Sequence, residues 1–262
     1  MSKKFELTSN FKVFLGRKLF QIRALVSFGD VNEGDLGGYI EKEENLSHSG
    51  NAWVYGDAWV YGNAKVYGNA KVCGNAWVYG DAWVYGNAKV YGNAKVCGNA
   101  WVSGDAWVSG NARVYGDAWV YGNAWVSGDA WVSGNAWVSG DAWVYGNAQV
   151  SGNARVSGNA QVYGDAWVSG DAWVYGNAQV YGNAQVSGDA DILQITGLGT
   201  VHRTTTVFRT TDGIRIACGC FFGDLDAFRE QVKNTREGKV QREYLKFADL
   251  VEIYFGIDEE DE

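Results

Sequence analysis

Residues 51–62 read Asn-Ala-Trp-Val-Tyr-Gly-Asp-Ala-Trp-Val-Tyr-Gly, and this six-residue frame continues without an insertion to residue 190. Alanine recurs at every sixth position from Ala52 to Ala190, which makes 24 hexads, and valine follows two residues after it from Val54 to Val186. Only the last hexad, which begins at Asp189, departs from the pattern. A short period that is kept this strictly determines the architecture before any other signal is considered.

The hexad translates directly into geometry. Alanine and valine are two residues apart, so on a strand they point to one face, and the residues between and after them point to the other. A Gly-Asn or Gly-Asp pair closes each unit and permits a tight corner. Strands joined only by such corners must coil as a parallel β-solenoid around an Ala/Val interior. A corner every six residues predicts three hexads per coil, hence about 8 coils and a rod about 38 Å long.

The Ala-x-Val-x-Gly-Asn hexads resemble the hexapeptide-repeat left-handed parallel β-helix, the fold of many bacterial acyltransferases. The segments Phe28-Gly29-Asp30-Val31, Gly37-Gly38-Tyr39-Ile40 and Asn45-Leu46-Ser47 are similar to a group of bacterial and prophage β-helix proteins that are labelled as transferases. The left hand of the coil is implied by this resemblance, because the period does not set it and parallel crossovers are ordinarily right-handed.

The sequence divides into three parts. We expect residues 1–38 to form a small N-terminal β cap with a hairpin at Gly16-Arg17, and residues 39–192 to form the β-helix. Residues 193–262 form a C-terminal α+β module of type ββαα, in which Ile214 to Cys220 is a return strand. An acidic tail from Asp258 to Glu262 ends it. Terminal pieces of a solenoid normally cover its open strand edges.

Charge and composition exclude several classes of function. The net charge is −8 and no part of the chain is basic, which argues against nucleic-acid binding. No run is apolar enough for a membrane span, and the first residues lack the apolar segment of an export signal. Together with four cysteines, this predicts a cytoplasmic protein.

The outward positions of the rod carry all 13 tryptophans. Side chains that are three hexads apart stack on adjacent coils if each coil contains three hexads. Two tryptophan ladders, the candidate binding surface, are therefore predicted: Trp83, Trp101, Trp119 and Trp137 on one side, and Trp107, Trp125 and Trp143 on another. Such ladders create a larger apolar surface than a soluble monomer normally exposes.

Three interpretations of this surface are open: association with a protein partner or a second copy, glycan binding, and simple preference for bulky strand-forming residues. Residues 51–74 recur identically at 75–98, a duplication of four hexads. Because a coil takes three hexads, the copied pattern moves to the next side of the rod. A site kept for one ligand on one face is not expected to be copied in this way.

Every corner position is occupied by asparagine or aspartate, with 15 Asn and nine Asp. In steps of three hexads, only Asp171 and Asp189 are stacked neighbours, which fits the three-hexad coil because stacked aspartates repel whereas asparagines can hydrogen-bond. These positions lack the clustered carboxylates that calcium requires, so we predict no metal site and no cofactor.

An acyltransferase-like enzyme is the alternative function that the resemblance implies, since such enzymes commonly use a histidine near a subunit interface. The repeat contains no histidine. His202, expected on a strand, is the one weak catalytic candidate, and His48 is expected on the inward track of the first coil.

Cys218 and Cys220 are two residues apart and are expected to be buried thiols on one strand face, while Cys73 and Cys97 should lie on different sides. The favoured interpretation is a non-enzymatic interaction or assembly protein, in the phage or prophage setting that the resemblance suggests.

Overall fold

The computed structural model describes residues 3–257 and shows a three-sided parallel β-solenoid with a cap at each end. The predicted tail from Asp258 to Glu262 lies outside the described residues. The chain begins with an antiparallel hairpin of β1 (Phe5–Phe14) and β2 (Arg17–Ala24), and β2 pairs with β3 (Leu36–Ile40). A 3-10 turn at Glu43–Asn45 leads into the rod.

The rod consists of two-residue strands, β4 to β26 in chain order, one in each hexad from Trp53 to Val186, which form three parallel sheets. The strands of face 1 are Trp53–Val54, Lys71–Val72, Lys89–Val90, Trp107–Val108, Trp125–Val126, Trp143–Val144, Gln161–Val162 and Gln179–Val180. Those of face 2 are Trp59–Val60, Trp77–Val78, Lys95–Val96, Arg113–Val114, Trp131–Val132, Gln149–Val150, Trp167–Val168 and Gln185–Val186. Those of face 3 are Lys65–Val66, Trp83–Val84, Trp101–Val102, Trp119–Val120, Trp137–Val138, Arg155–Val156 and Trp173–Val174.

Each strand pairs with the strand three hexads later, as Trp101 does with Trp119 and Val102 with Val120. This register confirms the predicted three-hexad coil and the rod of about 8 turns. The alanines and valines of the hexads from Ala52 to Val186 are buried and form one continuous core. The handedness of the coil stays a prediction from the resemblance.

Corner glycines adopt the left-handed conformation, and Gly86 with φ 69° is typical. A Cβ atom on Gly86 would lie 2.9 Å from the backbone nitrogen of Gly104 in the next coil. Glycine is therefore required both by its φ angle and by the close approach of successive corners.

Both ends of the repeat differ from the sequence prediction. Ile40 and Leu46 are buried, but each pairs with a valine 20 residues later, Val60 and Val66, instead of 18 residues later as in the regular coils. The first coil is therefore two residues longer than the others. At the other end, the last hexad forms a 3-10 turn at Asp189–Asp191 and Ala190 is exposed. The strict repeat thus gives strands only up to Val186.

The C-terminal module follows the rod. Its antiparallel sheet contains β27 (Ile192–Leu198), β28 (Arg203–Thr210), β29 (Gly213–Cys218) and β30 (Phe221–Gly223), and it is followed by the helices α1 (Leu225–Thr235) and α2 (Gly238–Phe255). The short strand β30 was not expected from the sequence. Phe208 is fully buried and joins the core of the rod. No helix within residues 3–257 is long and apolar enough to cross a membrane.

The two caps supply opposite kinds of hydrogen-bonding group. Inside the rod, alanine and valine carbonyls accept from amides of the coil before, as Ala70 O does from the Trp53 N–H at 3.0 Å. At the start of the rod some carbonyls still accept a backbone amide, as Ala58 O does from the Tyr39 N–H, but Ala52 O and Ala64 O do not, and side-chain donors replace it. Lys4 Nζ lies 2.8 Å from Ala52 O, and Asn45 Nδ2 lies 2.9 Å from Ala64 O. The buried backbone of the first coil is satisfied in this way.

At the far end, amides of the last coil lack acceptors from a following coil. The Trp173 N–H donates to Asp189 Oδ1 at 3.1 Å, and the Ser187 N–H donates to Asp191 Oδ2 at 2.8 Å. The Gln179 N–H is 3.4 Å from the hydroxyl oxygen of Thr206 on β28. Side-chain ammonium and amide donors therefore cap the N-terminal end of the rod, and side-chain carboxylate and hydroxyl acceptors cap its C-terminal end.

Candidate binding surface on the tryptophan ladders

The four-tryptophan ladder predicted from the sequence is present on face 3. Its ring centroids are 5.2 Å apart between Trp83 and Trp101, 4.8 Å between Trp101 and Trp119, and 5.5 Å between Trp119 and Trp137. The interplanar angles are 4°, 5° and 15° in the same order. Each stacked pair stabilises the rod by about 0.5–1.5 kcal/mol beyond the burial of its area.

The three-tryptophan ladder is present on face 1. Trp107 and Trp125 have centroids 4.7 Å apart at 6°, and Trp125 and Trp143 have centroids 5.1 Å apart at 7°. The structure therefore brings together every residue of both predicted ladders.

The spacing of the rings determines which part of each indole meets solvent. Parallel indoles whose centroids are about 5 Å apart must overlap face to face, because coplanar rings at that distance would collide. The flat faces inside a ladder are thus covered by neighbouring rings, and the ring edges point outward. Exposure is 37% for Trp119 and 44% for Trp143, which leaves an apolar strip of ring edges along the rod.

Cationic side chains cover both ends of the ladder on face 3 and one end of the ladder on face 1, whose other end, Trp143, pairs with Gln161. On face 3, Lys65 Nζ lies 5.5 Å from the Trp83 ring centroid and the Arg155 guanidinium lies 5.0 Å from that of Trp137. On face 1, Lys89 Nζ is 4.4 Å from the Trp107 ring centroid. These cation–π contacts stabilise the ends of the ladders. They were not predicted, although the signal was present, since each cation lies three hexads from its tryptophan.

Tyrosines from the corner after face 3 widen the aromatic strip. Tyr67 meets Trp83 edge to face at 5.8 Å, and Tyr85 meets Trp101 in the same way at 6.1 Å. Burial raises the pKa of the Tyr67 hydroxyl, so this phenol stays neutral at physiological pH. The strip therefore presents aromatic edges without a formal charge except at its two ends.

Face 2 shows what covers a tryptophan pair within the molecule itself. Trp59 and Trp77 are stacked at 4.9 Å, and Phe14 at the end of β1 places its ring 5.1 Å from each of them, edge to face. Further along the same face, Trp131 and Trp167 pair with non-aromatic residues and are 37% and 53% exposed.

The duplicated segment lies as the repeat arithmetic predicts. Trp53 is on face 1 and its copy Trp77 is on face 2, while Trp59 on face 2 is copied as Trp83 on face 3. The duplication therefore placed each copied outward side chain on the next face of the rod. Trp53 differs from the other tryptophans because the N-terminal cap buries it to 1% exposure.

The two histidines lie in different parts of the molecule, His48 near the N-terminal hairpin and His202 in the C-terminal module. His202 is not on a strand as expected: it lies in the turn before β28 with φ 48°, is exposed, and has Nδ1 3.3 Å from Gly197 O. Its backbone adopts a turn conformation that few non-glycine residues adopt. His48 stacks on Phe5 at 4.3 Å and accepts the Lys4 N–H at 3.2 Å, so it belongs to the N-terminal cap.

The cysteines are free, and Cys73 and Cys97 lie on different sides as expected. The expectation of two buried thiols at Cys218 and Cys220 is wrong for Cys220, which is exposed in the turn after β29. Strand β29 ends at Cys218, and the turn that begins at Gly219 prevents Cys218 and Cys220 from lying on one strand face. Within residues 3–257, no three His, Cys, Asp or Glu side chains are grouped as metal ligands would be.

Comparison with known protein families identifies the repeat. The family described as YdcK Beta solenoid repeat matches residues 70–86, 94–110, 106–121, 118–134, 148–160 and 160–176. These segments of the rod are similar to YdcK-type β-solenoid repeats. All six matched segments of the YdcK repeat lie between the caps, so the match describes the rod and not the C-terminal module. No curated protein matches the chain significantly.

Proposed function

We propose that this YdcK-type rod is a non-enzymatic interaction or assembly protein that binds a protein surface through its tryptophan ladders. The observation that carries the proposal is the exposed strip of stacked ring edges on face 3, which is apolar, rigid and continuous over four coils. Tryptophan is enriched among the residues that dominate binding energy at protein interfaces, and rigid rings lose little entropy on binding.

The ring orientation favours a protein over a glycan, the second alternative. Sugar rings stack on the flat faces of aromatic residues, and in the ladder on face 3 the flat faces are covered by neighbouring rings or by cations. Apolar side chains, in contrast, pack against ring edges, as Phe14 does on Trp59 and Trp77. The contact of Phe14 is therefore an internal example of the contact that we propose for a partner.

The partner is either another protein or a second copy of the chain, and the setting that we propose is the cytoplasm of a bacterium that carries a phage or prophage. This setting rests on the resemblance of the N-terminal segments around Phe28 and Tyr39 to bacterial and prophage β-helix proteins. The acyltransferase alternative has less support, because His202 is exposed in a turn and is bonded only to the backbone within the described residues.

Light scattering after size-exclusion chromatography, followed by capture of partners from a bacterial lysate, tests the proposal. The test variant combines Trp119→Ala with Trp137→Ala, and the control combines Trp131→Ala with Trp167→Ala. The control also removes two exposed tryptophans, but these stack on no other tryptophan in the described chain. We expect self-association or capture to be lost only in the test variant. A strictly monomeric protein that captures nothing, or equal losses in both variants, would contradict the proposal.

A further inference from the structure

A second candidate site lies in the C-terminal module, away from the tryptophan ladders. An open hollow of about 590 Å³ is bounded by the turn before β28, the end of α1 and the start of α2. Its lining includes Val201, Arg203, Lys233, Arg236 and Tyr244. This volume is in the range of sites that hold small molecules.

The hollow is positively charged in a protein whose net charge is −8. Three cations line it, and Glu237 is the only acidic residue in its lining. Within residues 3–257, neither Arg203 nor Lys233 forms an ion pair, and Arg236 donates only to the carbonyl oxygen of Thr235 at 3.3 Å. The charges of this site are therefore available to an anion, unlike those of Arg229, which pairs with Asp249 and Glu252.

Two glycines make room for the polar groups of the hollow. A Cβ atom on Gly219 would collide with the guanidinium group of Arg203, and one on Gly199 would lie 2.8 Å from the hydroxyl oxygen of Tyr244. Both glycines have positive φ angles, 62° and 68° respectively. The turn before β28 and the turn after β29 thus permit Tyr244 and Arg203 to approach the backbone closely.

Tyr244 lines the hollow together with Arg203 and Arg236. Burial and the neighbouring Cys218 raise the pKa of its hydroxyl, and the positive charges of Arg236 and Arg203 only partly oppose them, so the phenol is a neutral hydrogen-bond donor. The hydroxyl is 3.5 Å from the Leu198 carbonyl oxygen, a long contact that a better acceptor can replace. Helix α2 begins beside the hollow at Gly238 and has no side-chain N-cap, so its first amides add to the positive potential.

We propose that this hollow binds the phosphate group of a small molecule, with Arg203 and Arg236 as forked donors, Lys233 as a third cation and Tyr244 as a neutral donor. The planar guanidinium group matches phosphate oxygens in pairs, and a dianion balances more of the local positive charge than a carboxylate does. An apolar recess of about 40 Å³, lined by Phe221 and Phe228, shares Arg203, Arg236 and Tyr244 with the hollow and has room only for a small apolar group, so the rest of the ligand must lie in the open hollow itself.

Titration of the full-length protein with inorganic phosphate, followed by ³¹P NMR line broadening at constant ionic strength, tests this site. Arg203→Gln and Arg236→Gln should each weaken phosphate binding by about tenfold or more, since each removes a charge-assisted pair of hydrogen bonds. Arg242→Gln is the matched control, because Arg242 is exposed, carries the same charge and does not line the hollow. Its affinity for phosphate should stay within about twofold of the unaltered protein.

Circular dichroism checks that each variant is folded, and Lys233→Gln provides a further variant at an exposed position near the end of α1 where loss of folding is not expected. No saturable binding of phosphate to the unaltered protein, or an equal loss in Arg242→Gln, overturns the proposal. The variant with Trp119→Ala and Trp137→Ala should bind phosphate normally. A failure of the ladder proposal is therefore distinguishable from a failure of this one.

Discussion

The ammonium group of Lys4 donates a hydrogen bond to the carbonyl oxygen of Ala52 at 2.8 Å, at the point where the regular rod begins. The same group reaches Gly50 O at 3.3 Å and lies 4.7 Å from the centroid of the Phe28 ring. Lys4 is only 3% exposed, so a charged side chain is buried in order to satisfy carbonyls that no coil can reach.

This burial makes the contribution of Lys4 depend on pH. Burial lowers the pKa of Lys4 from 10.5 to about 8 in the folded protein. Between these two values the unfolded chain binds a proton that the folded chain has released, so the free energy of unfolding rises with pH because of this residue. Below pH 8 both states are protonated and the contribution is constant.

We therefore expect the free energy of unfolding of the unaltered protein to rise relative to that of Lys4→Met above pH 8, by at most about 1.4 kcal/mol per pH unit. Urea unfolding of both proteins from pH 7 to pH 10 measures this difference, and titrations common to both proteins cancel. A difference that stays flat or falls above pH 8 would show that Lys4 does not have a lowered pKa.

Asn45 is the second donor that caps the first coil, and its loss should be costly. Its side chain is fully buried and donates to Gly62 O at 3.1 Å and to Ala64 O at 2.9 Å. Asn45→Ala leaves two buried carbonyls without donors, and we expect a loss of about 2–4 kcal/mol in the free energy of unfolding. The control is Asn99→Ala, which removes an exposed bond to Asp117 and should cost less. Equal costs in denaturant unfolding would refute the capping role.

A corner asparagine donates a hydrogen bond to the corner residue of the next coil, whereas an aspartate can only accept one. This rule predicts opposite effects for two substitutions. Asn93 Nδ2 donates to Asn111 Oδ1 at 3.1 Å and Asn99 Nδ2 donates to Asp117 Oδ1 at 2.8 Å, but the Asp117 side chain has no N–H with which to continue its row. Asn93→Asp should destabilise the rod by about 0.5–1.5 kcal/mol, whereas Asp117→Asn should stabilise it by allowing a bond to Asn135. Thermal unfolding of both variants measures the two signs, and shifts in the same direction would show that the rule is wrong.

The centre of the four-tryptophan ladder should be more important for stability than an isolated tryptophan. Trp119 stacks on Trp101 and on Trp137, so Trp119→Ala removes two stacked pairs, which contribute about 1–3 kcal/mol together. Trp167 has no aromatic contact among the described residues, and Trp167→Ala is the matched control. Urea unfolding should show the larger loss for Trp119→Ala. If Trp167→Ala costs as much, ring stacking adds nothing to stability.

The regular part of the fold could be predicted because identical neighbours leave few alternatives. Once Ala52 and Val54 are placed inside, every later coil has the same register, and the tryptophan ladders follow from a step of three hexads. The two extra residues of the first coil could not be predicted, because no repeat pattern marks them. They lie between Leu46, which pairs with Val66, and the first regular strand, in which Val54 pairs with Val72.

The site residues show the same division between local and nonlocal information. Stacking of Trp101 on Trp119 follows from the period, whereas the positions of Arg203 and Arg236 around Tyr244 depend on how β28 packs against two helices. His202 was assigned to a strand because its neighbours are strand formers, but the irregular pairing that precedes β28 places it in a turn. Tertiary packing, which short-range patterns do not contain, decided these positions.

The constant step of three hexads between paired strands has a consequence for synthesis in the cell. Each coil after the first closes a loop of the same length at the same entropic cost, so the rod can grow by one coil at a time on a coil already formed. The N-terminal cap leaves the ribosome before the rod and provides the initial surface through β3 and Lys4. Nascent chains should therefore acquire protease resistance progressively from the N-terminus, while β27 to α2 are still being translated.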